Sequence, residues 1–398
     1  MYALKKQVKN NVYWVGKVDW ELQKFHGDEY STHKGSTYNS YLIQEEKTAL
    51  IDTVWAPFAE EFVKNLAGEI DLQKIDYIIA NHGEIDHSGG LPALMKHIPD
   101  KPIYCTSNAV KSLKGHYHED WNFHVVKTGD KIDLGNGKEL VFVEMRMLHW
   151  PDSMATYLTG DNILFSNDAF GQHFATEMLF NDQVDQCALF NESIKYYANI
   201  LTPFSALLRR KLDEITALNL PIEIIATSHG VVWRDNPLQI VEKYAEWADD
   251  YQENQITIIY DTMWNGTKTL AEKIAEGVTA ADPDVTVKVH NLAKRDENDL
   301  ITEVFKSKAV AIGSPTIANN ILHSVAGFIH LMKGLRFKRK KAAAFGCYGW
   351  SGESVKVINE LMADAGFEII NEGYRNQWNP DDDAQKAAVD FGKALARA

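Results

Sequence analysis

The run Asn81-His82-Gly83-Glu84-Ile85-Asp86-His87-Ser88-Gly89-Gly90 follows the apolar, strand-like Tyr77-Ile78-Ile79-Ala80 and places four potential metal ligands within six residues. Ligands at alternate positions followed by an adjacent one let a strand-to-helix turn aim His82 and Glu84 at one ion and Asp86 and His87 at another. A lone His or Asp here would read as a surface polar residue of a turn. Four ligand types at this spacing read as the loop of a two-metal site.

The spacing resembles the H-x-H-x-D-H signature of the metallo-β-lactamase fold, with Glu84 where the second His stands. Exchanging imidazole for carboxylate hardens the site and moves its preference from zinc towards iron or manganese. Two metals need more ligands than one loop supplies, and three later strand ends can add them. These are His149 in Met147-Leu148-His149-Trp150-Pro151-Asp152-Ser153, Asp168 in Phe165-Ser166-Asn167-Asp168-Ala169, and His229 in Thr227-Ser228-His229-Gly230. Singly, each also reads as a hydrogen-bonded core group or a cap. A carboxylate such as Asp168 can in addition bridge two cations and screen their repulsion.

With 398 residues and 45% hydrophobic content, the chain is long enough for two domains with separate cores. A polar segment, Asp249 to Gln255, marks the boundary, giving a metal-binding domain over 1–250 and a second domain over 254–398. The first half mixes strands and helices as an αββα sandwich does. The second alternates apolar strands at Ile256–Tyr260, Val285–Val289, Ala309–Gly313 and Ala342–Phe345 with helical stretches, the pattern of a doubly wound parallel sheet. The class is therefore α/β in both halves.

The net charge of −14 disfavours nucleic acid and anionic membrane surfaces as partners. The one basic run, Lys338-Arg339-Lys340-Lys341, reads as a solvated loop. Met1-Tyr2-Ala3-Leu4-Lys5-Lys6 turns polar before a secretory core could form, and no run has the apolar length of a membrane span, so a cytoplasmic protein is expected. Cys105, Cys187 and Cys347 are scattered and form no C-x-x-C pair. A redox role would then call for a separate one-electron donor.

Thr262-Met263-Trp264-Asn265-Gly266-Thr267 lies between the first strand and first helix of the second domain, where backbone N–H groups and hydroxyls can cradle a phosphate. It looks like a flavodoxin phosphate loop. The absence of a Walker A lysine and of G-x-G-x-x-G favours a mononucleotide over ATP or NAD. Two further strand ends, with Ser314, Pro315, Thr316 and Asn319 in one and Tyr348, Gly349, Trp350, Ser351 and Gly352 in the other, sit where a flavodoxin-like sheet holds its isoalloxazine ring. FMN is the expected cofactor.

Taken together, these motifs resemble the flavodiiron proteins over nearly the whole chain, including Phe25-His26-Gly27, His149-Trp150-Pro151-Asp152-Ser153 and Trp350-Ser351-Gly352. The resemblance implies a metallo-β-lactamase-like domain followed by a flavodoxin-like one. It implies that His82, Glu84 and His149 hold one iron, that Asp86, His87 and His229 hold the other, and that Asp168 bridges them. His26 and Tyr196 become pocket groups able to hydrogen-bond a diatomic ligand, and His173 a neighbour of the ligands. The implied activity is reduction of O2 to water and/or NO to N2O, with electrons from rubredoxin or a reduced deazaflavin. A head-to-tail homodimer or dimer of dimers is also implied, the flavin of one subunit facing the irons of the next. The rival is a binuclear zinc hydrolase of the same fold, against which Glu84 and the flavin half both argue.

Overall fold

A computed structural model describes residues 5–398; Met1–Leu4, on which part of the N-terminal reading rested, lie outside the described residues. The chain divides into two compact units. One runs to Tyr196 and includes Phe204–Glu246, and the other comprises Tyr197–Pro203 and Trp247–Ala398.

The first unit is built on two sheets. The larger has seven strands in the order Lys6–Lys9, Val12–Trp14, Tyr41–Gln44, Thr48–Ile51, Ile75–Ile79, Ile103–Cys105 and Phe123–Val125. From Thr48–Ile51 onward these neighbours run parallel, an arrangement that needs cover on both faces. The runs are accordingly apolar, and Ile78 and Ile79 are fully buried. The smaller sheet orders Lys131–Gly135, Lys138–Glu144, Met154–Leu158, Ile163–Asn167 and Ile224–Thr227, with only the last pair parallel.

Ile43, Ile51 and Ile79 of the larger sheet share one core with Leu140, Phe142 and Ile163 of the smaller. The two therefore form a sandwich, and each such side chain contributes about 1.5–3 kcal/mol on burial. Because Ile163–Asn167 and Ile224–Thr227 run parallel, Asp168 and His229 emerge from neighbouring strands at the same end of the sheet.

The second unit has one parallel sheet in the order Thr286–Asn291, Glu253–Tyr260, Ser307–Gly313, Lys341–Tyr348 and Glu368–Ile369, with Tyr374–Gln377 also paired to Lys341–Tyr348. In chain order this is 2-1-3-4-5, whose switch point lies between the first and third strands, and ligands bind outside the carboxyl ends there. No helix of the described residues is long and apolar enough to cross a membrane.

One expectation is corrected in this unit. Lys340 does not belong to a solvated loop: it is buried, and its Nζ donates to the carbonyl oxygens of Tyr251 (3.0 Å), Phe305 (2.6 Å) and Ser307 (2.8 Å). Three carbonyls at strand and helix ends offer the three acceptors an ammonium needs, and a run of like charges in sequence does not reveal this. Lys340→Met is expected to remove these three buried hydrogen bonds and to destabilise the protein by about 1–3 kcal/mol, read as a lower midpoint in urea unfolding. An unchanged midpoint would show that the contacts are energetically idle.

Candidate functional site

The ligand loop begins where Ile75–Ile79 ends. Asn81 fastens it between the two sheets: its N–H donates to Asp52 Oδ1 (2.7 Å), its carbonyl accepts from Met154 N (2.8 Å), and its Oδ1 accepts from Thr156 Oγ1 (2.7 Å). Burial pushes the Asp52 pKa up to about 6. A single helical turn, Ile85–Ser88, then carries Asp86 and His87 inward, both buried. On the opposite wall, Gly230 adopts φ +74°, and a Cβ there would lie 1.6 Å from Gln172 Oε1. Only glycine fits the turn that follows His229.

Seven predicted side chains converge. His82, Glu84, His149 and Asp168 form one group of donor atoms, and Asp86, His87 and His229 form a second. In the first group, Glu84 Oε2 lies 3.2 Å from His82 Nε2 and 3.5 Å from His149 Nε2. In the second, Asp86 Oδ2 lies 3.2 Å from His87 Nε2 and 3.0 Å from His229 Nε2. Asp168 joins them. Its Oδ2 is 3.7 Å from His82 Nε2 and 3.5 Å from His149 Nε2, while its Oδ1 is 3.0 Å from His87 Nε2 and 3.5 Å from His229 Nε2.

Several of these atoms are buried without a well-aligned hydrogen-bond partner: both oxygens of Asp86, His87 Nε2 and Asp168 Oδ2. Orphaned polar atoms in such number are costly unless cations satisfy them. Three carboxylates facing four imidazoles are the donor set two cations would complete.

The electrostatics agree. Burial alone would raise the pKa of Glu84, but hydrogen bonds from His26 and His82 and the charges of His82 and His149 hold it well below the usual carboxylate range. Burial works against a charge on His87, yet Asp168 and Asp86 push its pKa up to about 9. Cations would take the place of those protons, since imidazole binds metal only when neutral.

Groups around the ligands orient them. Asp152 accepts from Gly83 N (2.9 Å) and lies 3.1 Å from His82 Nδ1, while His229 Nδ1 is 2.6 Å from the carbonyl of Thr37. Such partners fix the tautomer that presents Nε2 to a metal. Asp152 stands inside a quoted motif, but sequence reasoning assigned it no role.

His26 Nε2 lies 3.1 Å from Glu84 Oε1. Tyr196 is buried with its ring 5.3 Å from that of His173, which in turn stacks 4.8 Å from His229. Burial, then the facing His229, drives the His173 pKa well below its ordinary value.

The second unit holds a cavity of about 600 Å³ at the predicted strand ends. Thr262, Met263, Trp264, Gly266 and Thr267 line it from the first loop, Pro315, Thr316 and Asn319 from the second, and Tyr348, Gly349, Trp350 and Ser351 from the third. Three predicted residues do not line it. Asn265 takes a left-handed conformation before the helix Gly266–Ala281; Ser314 is buried, its Oγ accepting from Leu322 N; and Gly352 packs on Tyr348. Ile317, Ala318 and Cys347, which belong to the same strand-end runs, complete the wall together with Trp378 and Asn379, which sequence reasoning missed.

The cavity fits a flavin mononucleotide. Thr267 Oγ1 is buried and unpartnered at a helix N-terminus, as an anion site requires. Trp264 and Trp350, 86% and 94% exposed, offer aromatic surface with nothing packed on it.

Comparison with known proteins agrees with this geometry. Residues 37–230 match the ODP family beta lactamase and residues 258–392 match Flavodoxin. The chain is 58% identical to the anaerobic nitric oxide reductase flavorubredoxin of Klebsiella pneumoniae and 57% identical to that of Escherichia coli K12, in each case over 98% of this chain and 81% of the relative. Among solved structures it is similar to rubredoxin oxygen:oxidoreductase from Desulfovibrio gigas, with TM-score 0.94, 36% identity and 99% and 98% of the two chains covered. It is also similar to the flavodiiron protein from Giardia intestinalis, with TM-score 0.94, 33% identity and 100% and 97% covered. A metallo-β-lactamase-like unit carrying a seven-donor cluster, a flavodoxin-like unit carrying a flavin-sized cavity, and identities of this size over nearly the full length place the chain in the flavodiiron protein family.

Proposed function

We propose that this chain reduces nitric oxide to N2O, dioxygen to water, or both, at a non-haem diiron centre fed by FMN. The observation that carries the reading is Asp168, whose two carboxylate oxygens face two separate groups of donors. His82, Glu84 and His149 would hold one iron, and Asp86, His87 and His229 the other. The irons would supply Lewis-acid and redox chemistry towards the diatomic molecule, and the flavin, held at the second unit's cavity, would supply a store of electrons.

The protein's own residues do the rest. Asp152 and the Thr37 carbonyl hold His82 and His229 in the ligating tautomer. Burial of His82, Asp86, His87, Asp168 and His229 limits the competition of bulk water for the site. His26, beside Glu84, and Tyr196, beside His173, would be the groups to hydrogen-bond the substrate or its products, a reading supported by those contacts.

The higher identity to proteins named nitric oxide reductases than to one named an oxygen oxidoreductase supports nitric oxide as the preferred substrate. Those names also support a rubredoxin-type electron donor. The reading further includes a head-to-tail homodimer and a cytoplasmic location, the latter supported by free, dispersed cysteines.

Purified protein expressed with iron available is expected to carry about two irons and one FMN per chain, by elemental analysis and absorption spectrum, two metals being the number such a bridged site holds. The reduced protein is expected to be reoxidised by NO, and by O2 when supplied separately, in anaerobic stopped-flow. Stoichiometric zinc with hydrolase turnover and no yellow chromophore would overturn the reading.

A further inference from the structure

Four chain segments reach the flavin cavity, and the fourth has no assigned role. It is the short strand Tyr374–Gln377 and the two residues after it. The strand pairs in parallel with the carboxyl half of Lys341–Tyr348, Cys347 opposite Asn376 and Tyr348 opposite Gln377. Trp378 N–H then donates to the Tyr348 carbonyl (2.7 Å), and Gln377 Nε2 donates to the Gly349 carbonyl (3.0 Å).

The segment is thus tied to the loop that carries Tyr348 and Trp350. Its indole lies directly on that loop: a Cβ built on Gly349 would sit 2.8 Å from Trp378 Cζ3 and 2.9 Å from Cη2. Gly349 has to be glycine for the ring to rest there. Trp378 nevertheless remains 62% exposed and lines the cavity. A bulky residue at φ +61° is in a conformation that costs energy and persists only where its surroundings impose it.

Asn379, the next residue, points to the other end of the cavity. Its Oδ1 lies 3.5 Å from where a Cβ on Gly266 would be, so its carboxamide sits at the first residue of the helix Gly266–Ala281. That helix start also carries the buried, unpartnered Thr267 Oγ1.

We infer that Trp378 and Asn379 are flavin-positioning residues, Trp378 supplying a face for the isoalloxazine ring and Asn379 a hydrogen-bonding group for the phosphate end. The inference rests on FMN being the cofactor. Adjacent residues thereby grip both ends of one ligand, and the pairing of the strand Tyr374–Gln377 with Lys341–Tyr348 sets their position at the cavity.

The test titrates apoprotein, prepared from the holoenzyme by flavin removal, with FMN and with riboflavin, following quenching of flavin fluorescence. Trp378→Ala is expected to weaken both ligands about tenfold, since a lost aromatic face affects the ring they share. Trp378→Phe should recover most of that loss. Asn379→Ala is expected to weaken FMN about tenfold and to leave riboflavin within about twofold, because a hydrogen bond to a charged group is lost only for the phosphate.

Both alanine variants binding FMN within about twofold of wild type, or Trp378→Phe binding as weakly as Trp378→Ala, would overturn the inference while leaving the cofactor reading intact. Wild-type apoprotein that takes up no FMN would overturn both.

Discussion

Asp168→Ala is expected to abolish reduction of NO and O2, by more than about a hundredfold, while FMN stays bound. Losing an outer partner of a metal ligand already costs about 10–100-fold, and among the described residues Asp168 is the one side chain whose oxygens face both donor groups. Without it, two divalent cations would face each other with less intervening negative charge. Iron occupancy should fall with activity, and Asp168→Asn, which keeps the shape and loses the charge, should fall between alanine and wild type.

The flavin cavity is lined by residues of the second unit and should be unaffected. Iron by elemental analysis, flavin by absorption and turnover by gas consumption check each part. Full turnover in Asp168→Ala with both irons retained would falsify the bridging role.

The second large effect is a gain. If electrons pass from the flavin of one subunit to the irons of its neighbour, two inactive variants should complement each other. Glu84→Ala removes a proposed iron ligand, and the double variant Thr267→Ala with Trp350→Ala removes proposed flavin contacts. Random exchange of equal amounts makes half the dimers mixed, and each mixed dimer holds one intact flavin opposite one intact iron pair. Activity is then expected to rise from background to roughly a quarter of wild type for a symmetric dimer. With exchange confirmed by native mass spectrometry and each variant retaining its unaltered cofactor, turnover that stays at background would rule out transfer between subunits.

Legibility in the sequence followed periodicity and clustering. The seven donors could be read because each follows an apolar strand and because four stand in one loop, so residue type and position carried the information together. The flavin loops could be read for the same reason: each ends a buried strand of the second unit, such as Ser307–Gly313 or Lys341–Tyr348. The hairpin strands Lys17–Asp19 with Ser36–Tyr38 and Lys24–Phe25 with Tyr30–Ser31 are two or three residues long, too short to show a period of two. The strand Tyr374–Gln377 is equally opaque, since it is only four residues long and, after Tyr374, wholly polar.

What the chain determined by itself is therefore the longer apolar strands, the donor types that follow them and the nature of both cofactors, because these depend on local patterns that any folded neighbour must respect. The tertiary structure decided the partnerships. It set Asp152 against His82, Lys340 among three carbonyls and Trp378 on Gly349, each pair joining residues separated by 29 to 89 positions along the chain. Such pairings depend on how strand ends meet in space, and a side chain's residue type records its capacity to bond without recording with whom.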